Sequence, residues 1–165
     1  MPSSAAPRLS EAPITADGRY PPIRRESREA EFSFGQALRY YDAQYDSAWQ
    51  AKVLRKLCEL LCLDANWDGY GAPGVRRDAA MFALEVLGKV MQPRTPLPQI
   101  VPSSTGGVQV EWHESGIDLE FHVAAPYECE LWFEDHHSGQ PPVSLEMNTA
   151  DVTELRKAVN TLTKR

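Results

Sequence analysis

Cysteine is scarce in this sequence, and long apolar runs are missing. Only Cys58, Cys62 and Cys129 occur among 165 residues. An odd count this small does not make a disulfide framework, and Cys58 and Cys62 stand four residues apart in an apolar helical pattern, so we expect reduced, buried thiols. No run of about 18 apolar residues and no secretory signal is visible. These absences predict a cytoplasmic protein with no membrane segment.

Basic residues are also in deficit. The chain has 17 lysines and arginines against 23 aspartates and glutamates, a formal net charge of −6. Nucleic-acid binding depends mainly on basic side chains, so we expect this protein not to bind nucleic acid except through an N-terminal group of arginines. That group is Arg19, Arg24, Arg25 and Arg28. From Glu111 to Glu134 there is no lysine or arginine at all, which favours a basic protein as the partner.

The common catalytic and cofactor motifs are missing as well. The sequence has no phosphate-binding loop, dinucleotide fingerprint, nucleophile elbow or H-E-x-x-H motif. We therefore predict no cofactor and no metal, and we favour a function other than catalysis. The pair His136 and His137 stands in a polar loop, and we expect it to be exposed rather than to act as a ligand pair.

The first 30 residues differ from the rest of the chain. They contain five prolines and show no apolar periodicity, which predicts a flexible arm. The whole sequence is 42% hydrophobic and 24% charged, a balance typical of globular proteins. We expect residues 31–165 to form a single α+β domain.

Apolar spacing predicts the helices. A helical run begins at Phe34, and Ser47 and Gln50 resemble a capping box that starts a new helix at about Ala48. This helix is expected to end near Leu63. A second helix is expected from about Val75 to Met91. A final helix is expected to begin at a cap of Asn148 or Thr149, with Val152, Leu155, Val159 and Leu162 inward.

Between the second and last helices the pattern is typical of strands. Gln99–Val101 lies between prolines and is expected to be an edge strand. Apolar and polar residues then alternate from Val108 to Glu134 with a four-residue turn at His113–Gly116. The sequence therefore predicts a three- to four-stranded antiparallel meander packed against two or three helices.

The polar side of this meander is a candidate site. In-register pairing would place Glu111 with Asp118 and Glu134, Glu120 with Gln109 and Trp132, and His122 beside Glu130. Three interpretations are open: a solvated face, an acidic docking surface, or a catalytic or metal site of Glu111, His113, Glu120 and His122.

The loop Asn66–Ala72, with the sequence NWDGYGA, is a second candidate. It is either a structural loop, with Trp67 and Tyr70 in the core and Asn66 or Asp68 capping amides, or a partner-binding loop with exposed aromatics. The spacing of Asp64, Asn66 and Asp68 matches half of a calcium loop. Its closing position is Val75 instead of glutamate, so we do not predict calcium.

Two motifs carry a family resemblance. The NWDGYGA segment and residues 98–112, PQIVPSSTGGVQVEW, resemble an uncharacterised family of small bacterial proteins. That family shares N-W-D-G-Y-G-A, then P-x-[IV]-x-P and G-x-[VI]-x-[LV]-E-W, over roughly residues 50 to 135 here. The resemblance implies a bacterial, cytoplasmic protein from mobile or accessory genome regions, and it implies no catalytic residue or cofactor.

These observations lead to a functional hypothesis. We expect a non-enzymatic protein-binding module of an antitoxin-like or defence-associated kind. The alternative is a hydrolase or nuclease-like enzyme, with or without a metal, that uses the carboxylates and histidines of the sheet. The residues predicted to bind the partner are Trp67, Asp68, Tyr70, Glu111, His113, Glu120, His122 and Trp132.

Overall fold

The computed structural model describes residues 48–147 and 151–165. The predicted arm, the helical run from Phe34, the cap residue Ser47 and the cap candidates Asn148 and Thr149 lie outside the described residues. The described part is an α+β fold with a five-stranded sheet. Its elements follow in the order α1 (Ala48–Leu61), α2 (Arg77–Val90), β1 (Gln99–Pro102), β2 (Val108–Glu114), β3 (Ile117–Ala125), β4 (Glu128–Asp135), β5 (Val143–Met147) and α3 (Thr153–Thr163).

The helices form where the apolar spacing predicts them, with small differences at their ends. Helix α1 is described from Ala48, where the described residues begin, and ends at Leu61, two residues before the predicted end. Helix α2 begins at Arg77 rather than Val75. Each helix buries one apolar face, as α1 does with Val53, Leu54, Leu57 and Leu60. Every such fully buried aliphatic side chain contributes about 1.5–3 kcal/mol to folding.

The sheet is an antiparallel meander in which each strand pairs with its neighbours in sequence, from β1 to β5. The predicted edge strand β1 and the three central strands are confirmed. The predicted count of three to four strands is too low. The fifth strand, β5, follows Pro141 and Pro142 in a segment for which the sequence predicts no strand. Its residues are mostly exposed, so it lacks the buried alternation that identifies the other strands.

All three described helices pack on one side of the sheet. Helix α1 contacts β1, α2 contacts β2 and β3, and α3 contacts β3. The inward residues of β2 and β3 are almost fully buried there, among them Trp112, Leu119 and Phe121. One face of the sheet therefore builds the core, and the opposite face, which we call the outer face, meets solvent.

The hairpin between β2 and β3 differs from the prediction. Its turn is formed by two residues, Ser115 and Gly116, both with positive φ, at 55° and 70°. Two positive φ angles define a type I′ turn, which matches the twist of the flanking strands. The predicted four-residue turn at His113–Gly116 is therefore wrong by one residue. Moving the turn by one residue moves the pairing of β2 with β3 by two residues. Because the side-chain period is also two, each residue stays on its predicted face of the sheet.

Helix α3 begins later than predicted. It starts at Thr153, and the Asp151 carboxylate accepts hydrogen bonds from the Thr153 backbone N–H at 2.9 Å and from the Thr153 hydroxyl. The predicted cap at Asn148 or Thr149 is therefore wrong for this helix. Its inward residues Leu155, Val159 and Leu162 are buried, as predicted.

The three cysteines occupy different environments. Cys129 is buried, and burial raises its pKa to about 11. Cys58 is half-buried, and burial raises its pKa as well. Cys62 is exposed, so the prediction of buried thiols is wrong for this residue, which lies in the turn after α1.

None of the helices in residues 48–147 and 151–165 combines the length and the apolar character needed to cross a membrane.

Candidate functional site

The outer face is built from polar side chains that alternate with the buried ones. Strand pairing arranges its residues in three rows across the sheet. The rows are His113–Asp118–Glu134, then Gln99–Glu111–Glu120–Trp132–Ser144, then Val101–Gln109–His122–Glu130–Glu146. The predicted β3–β4 neighbours are confirmed. The predicted β2 neighbours are wrong, because Glu111 lies opposite Glu120 rather than Asp118.

Negative charge dominates this face. Three pairs of carboxylates lie directly opposite each other on adjacent strands: Glu111 with Glu120, Asp118 with Glu134, and Glu130 with Glu146. None of the five described strands contains a lysine or arginine. Each such like-charge pair destabilises a sheet by up to about 1 kcal/mol. The outer face therefore carries a concentration of negative charge that no lysine or arginine of the described strands balances.

Histidines and carboxylates join in a chain of contacts at one end of the outer face. His113 Nδ1 lies 2.7 Å from Asp118 Oδ1, and His136 Nε2 lies 2.7 Å from Asp118 Oδ2. The second nitrogen of each ring lies 3.5 Å from another carboxylate, Glu111 for His113 and Glu134 for His136. We call these five residues the His–carboxylate cluster.

The cluster shifts the pKa values of its members. The hydrogen bond to Asp118 raises the pKa of His113, with smaller contributions from Asp118 and Glu111 charge. The same bond to Asp118 raises the pKa of His136, aided by Glu134. Conversely, His136 and then His113 hold the pKa of Asp118 below its usual range. A protonated imidazole donates from both nitrogens, which suits a ring between two carboxylates.

A short loop after β4 brings His136 to the cluster. The His136 backbone N–H donates to the Gly116 carbonyl at 3.0 Å, which fastens the loop to the β2–β3 turn. The His137 ring packs directly on Gly116, since a Cβ there would lie 2.3 Å from His137 Nε2. At the start of the loop, Arg165 binds Asp135 at 2.7 Å. These contacts hold His136 over Asp118.

His136 is the member of the cluster that sequence reasoning missed. It is 45% exposed, as expected for a polar loop, yet it makes a direct contact with Asp118. Sequence alternation cannot locate a residue outside the strands. The one signal was the His136–His137 pair immediately after a strand that ends in Glu134 and Asp135.

The other predicted residues of the face lie outside the chain of contacts that forms the cluster, although Glu120 is the cross-strand partner of Glu111. Glu120 accepts a hydrogen bond from the Gln109 amide at 3.1 Å, and Trp132 lies beside Glu120 in the same row. His122 lies in the third row between Gln109 and Glu130, and its Nε2 atom is buried without a hydrogen-bond partner among the described residues. The structure therefore brings Glu111 and His113 together, but not His122 with them.

The loop Asn66–Ala72, which we call the aromatic loop, is closed by internal hydrogen bonds and presents one aromatic side chain to solvent. The Asp68 carboxylate accepts hydrogen bonds from the backbone N–H groups of Tyr70 at 2.8 Å and Ala72 at 3.1 Å, and these bonds lower the pKa of Asp68. Asn66 Oδ1 accepts from the Gly71 N–H at 2.7 Å. These two oxygens of the half calcium loop are thus engaged by backbone amides.

The two aromatics of this loop differ in exposure. Half-buried Trp67 donates from its indole nitrogen to the Pro73 carbonyl at 3.1 Å. Tyr70 is 95% exposed, so the interpretation in which both aromatics enter the core is wrong for Tyr70. A large exposed aromatic on a well-anchored loop is typical of an interface residue.

The aromatic loop and the His–carboxylate cluster lie at opposite ends of the sheet. The Arg76 N–H, just after the loop, donates to the Gly106 carbonyl at 2.8 Å, next to the start of β2. The cluster lies beside the turn at the far end of β2. Seven strand residues separate the two ends by about 20 Å. A partner that uses both has to extend along the length of β2.

Comparison with known proteins adds no relative. No protein-family model, no curated protein and no solved structure matches this chain. The family resemblance of the NWDGYGA and PQIVPSSTGGVQVEW segments therefore stays a prediction.

Proposed function

We propose that this chain is a non-enzymatic cytoplasmic protein-binding module, antitoxin-like or defence-associated, whose outer face docks a basic surface of a partner protein. The observation that carries the proposal is the set of three directly opposed carboxylate pairs on strands that have no lysine or arginine. Docking a basic surface relieves the repulsion within these pairs. Complementary charge also speeds association and sets the orientation of the partner.

The composition of the face supports protein recognition. Glu111 is mostly buried, with 17% of its side chain exposed, while Asp118 and Glu134 are about one-third exposed. Partly buried carboxylates have fewer accessible rotamers than fully exposed ones, so they lose less conformational entropy on binding. Trp132, half-buried in the central row, adds an aromatic side chain of the kind that anchors protein interfaces. Tyr70 is a second possible anchor for a partner that extends along β2.

The proposal is tested by capture of the partner from a lysate of the source organism. The full chain is compared with a face variant, Glu111→Lys with Glu120→Lys, and with a helix control, Glu85→Lys with Glu154→Lys. Both variants change the net charge equally, and Glu85 and Glu154 lie on exposed helix positions. We expect a basic protein to bind the wild type and the helix control. The face variant should bind it at least about tenfold more weakly, since 1.4 kcal/mol is enough for that change.

Two outcomes would refute docking through the outer face. One is equal capture by the face variant and the wild type. The other is a complex whose affinity does not change between low and high salt, because screening weakens attraction between exposed charges. Tyr70→Ala, measured against the captured partner, then shows whether the aromatic loop takes part.

An enzyme that uses the same carboxylates and histidines is the second candidate. The contact that favours it is the 2.7 Å approach of His113 to Asp118, an arrangement that suits proton transfer. We rank it second because the four residues predicted for it divide between three rows, with Glu120 bonded to Gln109 and His122 apart from His113. The enzyme would become the leading candidate if the protein hydrolysed a phosphodiester or ester substrate and His113→Gln abolished that hydrolysis.

A further inference from the structure

Three members of the His–carboxylate cluster come from separate elements and offer ligand atoms to one small region. Asp118 lies on β3, Glu134 on β4 and His136 in the loop after β4. One nitrogen or oxygen atom from each lies within 4.8 Å of the other two. Around a zinc ion with bonds of about 2.0–2.2 Å, neighbouring ligand atoms lie roughly 3–4 Å apart. Binding an ion therefore requires these partly exposed side chains to rotate.

The backbone around this region holds the three side chains in place. Asp118 and Glu134 are direct neighbours in the β3–β4 ladder, so their separation is set by strand pairing. His136 is held by its N–H bond to Gly116 and by His137 packed on Gly116. His113 contacts the other oxygen of Asp118 at 2.7 Å, as an imidazole does when it orients a ligand carboxylate. Ligands on paired strands keep their positions better than ligands on free loops.

The local charge favours a cation. Asp118 and Glu134 are opposed carboxylates, and Glu111 and Asp135 lie close to the same histidines. No lysine or arginine of the described strands is available to them, and Arg165 binds Asp135 instead. A divalent ion between Asp118 and Glu134 removes their repulsion.

We propose that Asp118, Glu134 and His136 bind one divalent transition-metal ion of the zinc type, with His113 orienting Asp118. A mixed set of one imidazole and two carboxylates suits zinc, cobalt or manganese better than calcium or magnesium, which prefer oxygen ligands alone. This inference goes beyond the proposed docking function, because it concerns the isolated chain and needs no partner.

The test uses the full chain without an affinity tag, treated with chelator and then titrated. Co²⁺ serves as a spectroscopic probe of the ligand set, and Zn²⁺ is titrated by calorimetry. We expect one ion per chain with saturable binding. Asp118→Asn and His136→Gln should each weaken binding by roughly 10- to 100-fold, at least the loss seen when outer-shell partners of a metal are removed.

The matched control is Glu130→Gln, which removes a carboxylate from the same outer face opposite Glu146 but outside the cluster. It should bind the metal as the wild type does. Far-ultraviolet circular dichroism of each variant verifies that it is folded. Absence of saturable binding by the wild type would overturn the proposal. So would equal weakening in Glu130→Gln and Asp118→Asn, which would show only diffuse attraction to an acidic surface.

Discussion

Asp118 Oδ2 and His136 Nε2 lie 2.7 Å apart although 18 residues separate them in the sequence. The other Asp118 oxygen contacts His113, so a single carboxylate joins β2, β3 and the loop after β4. These links make Asp118 the centre of the His–carboxylate cluster. Its removal should affect both histidines at once.

The Asp118→Asn variant tests this through pH. Because Asp118 raises the pKa of His113 and His136, the histidines stabilise the fold fully below their ordinary pKa and lose that contribution as the pH rises through the raised value. The lowered pKa of Asp118 stabilises the fold at pH values above the ordinary aspartate pKa. That contribution is lost only as the pH falls through the lowered value.

In chelator-treated wild-type protein we therefore expect the free energy of unfolding to fall as the pH rises above the ordinary histidine pKa of 6.5 and through the raised values. The fall should be smaller in Asp118→Asn. Urea denaturation at several pH values measures it, and proton chemical shifts of the histidine rings should show both pKa values moving down. Unchanged histidine pKa values would contradict the assignment.

Gly116 is predicted to be intolerant of a side chain. Gly116→Ala places a Cβ on a residue with φ of 70° and against the His137 ring. We expect a loss of about 1–2 kcal/mol from the left-handed conformation alone, and more from the clash. The double variant Gly116→Ala with His137→Ala should recover the part due to the clash.

A matched substitution at the preceding residue, Ser115, should increase the free energy of unfolding instead of lowering it. Ser115→Asn fits the type I′ turn better, because asparagine tolerates positive φ, and should stabilise by about 0.5 kcal/mol. Thermal or urea denaturation measures all three variants. Equal stability of Gly116→Ala and the wild type would mean that the turn has another conformation.

Trp112 is predicted to be the most sensitive tryptophan among the described residues. It is 2% exposed, and its indole nitrogen donates to the Pro96 carbonyl at 2.9 Å. Trp112→Phe should cost about 1–3 kcal/mol, because the substitution leaves that carbonyl without its donor. Trp132→Phe, on the outer face, should cost less. Urea denaturation of both variants would decide the order.

The cysteines should differ in reactivity. The exposed Cys62 should react with a thiol-specific reagent such as DTNB in the native protein at pH 8. Cys129, buried and with a pKa of about 11, should react only after unfolding. Cys62→Ser should remove the rapid labelling of the native protein and leave the labelling of Cys129 after unfolding unchanged. Rapid labelling of Cys129 in the native state would contradict its buried position.

Much of the fold could be predicted because apolar spacing reports burial directly. Alternation between Val108 and Glu134 located three strands and assigned their faces, and helical spacing located the end of α1 and both ends of α2 to within two residues. The strand β5 was missed because Val143 and Leu145 are exposed, so their burial gives no periodic signal. The start of α3 was placed too early because two cap candidates precede Asp151 in the sequence.

The sequence by itself determined the sides of the sheet, since a period of two sends alternate side chains to opposite faces whatever the register. It also determined that the outer face is acidic, because no lysine or arginine occurs between Arg94 and Arg156. Only the tertiary structure decided which carboxylates oppose each other, because a turn displaced by one residue moves the pairing by two. It alone brought His136 to Asp118, because that contact depends on a loop folded against Gly116 and not on any periodic pattern.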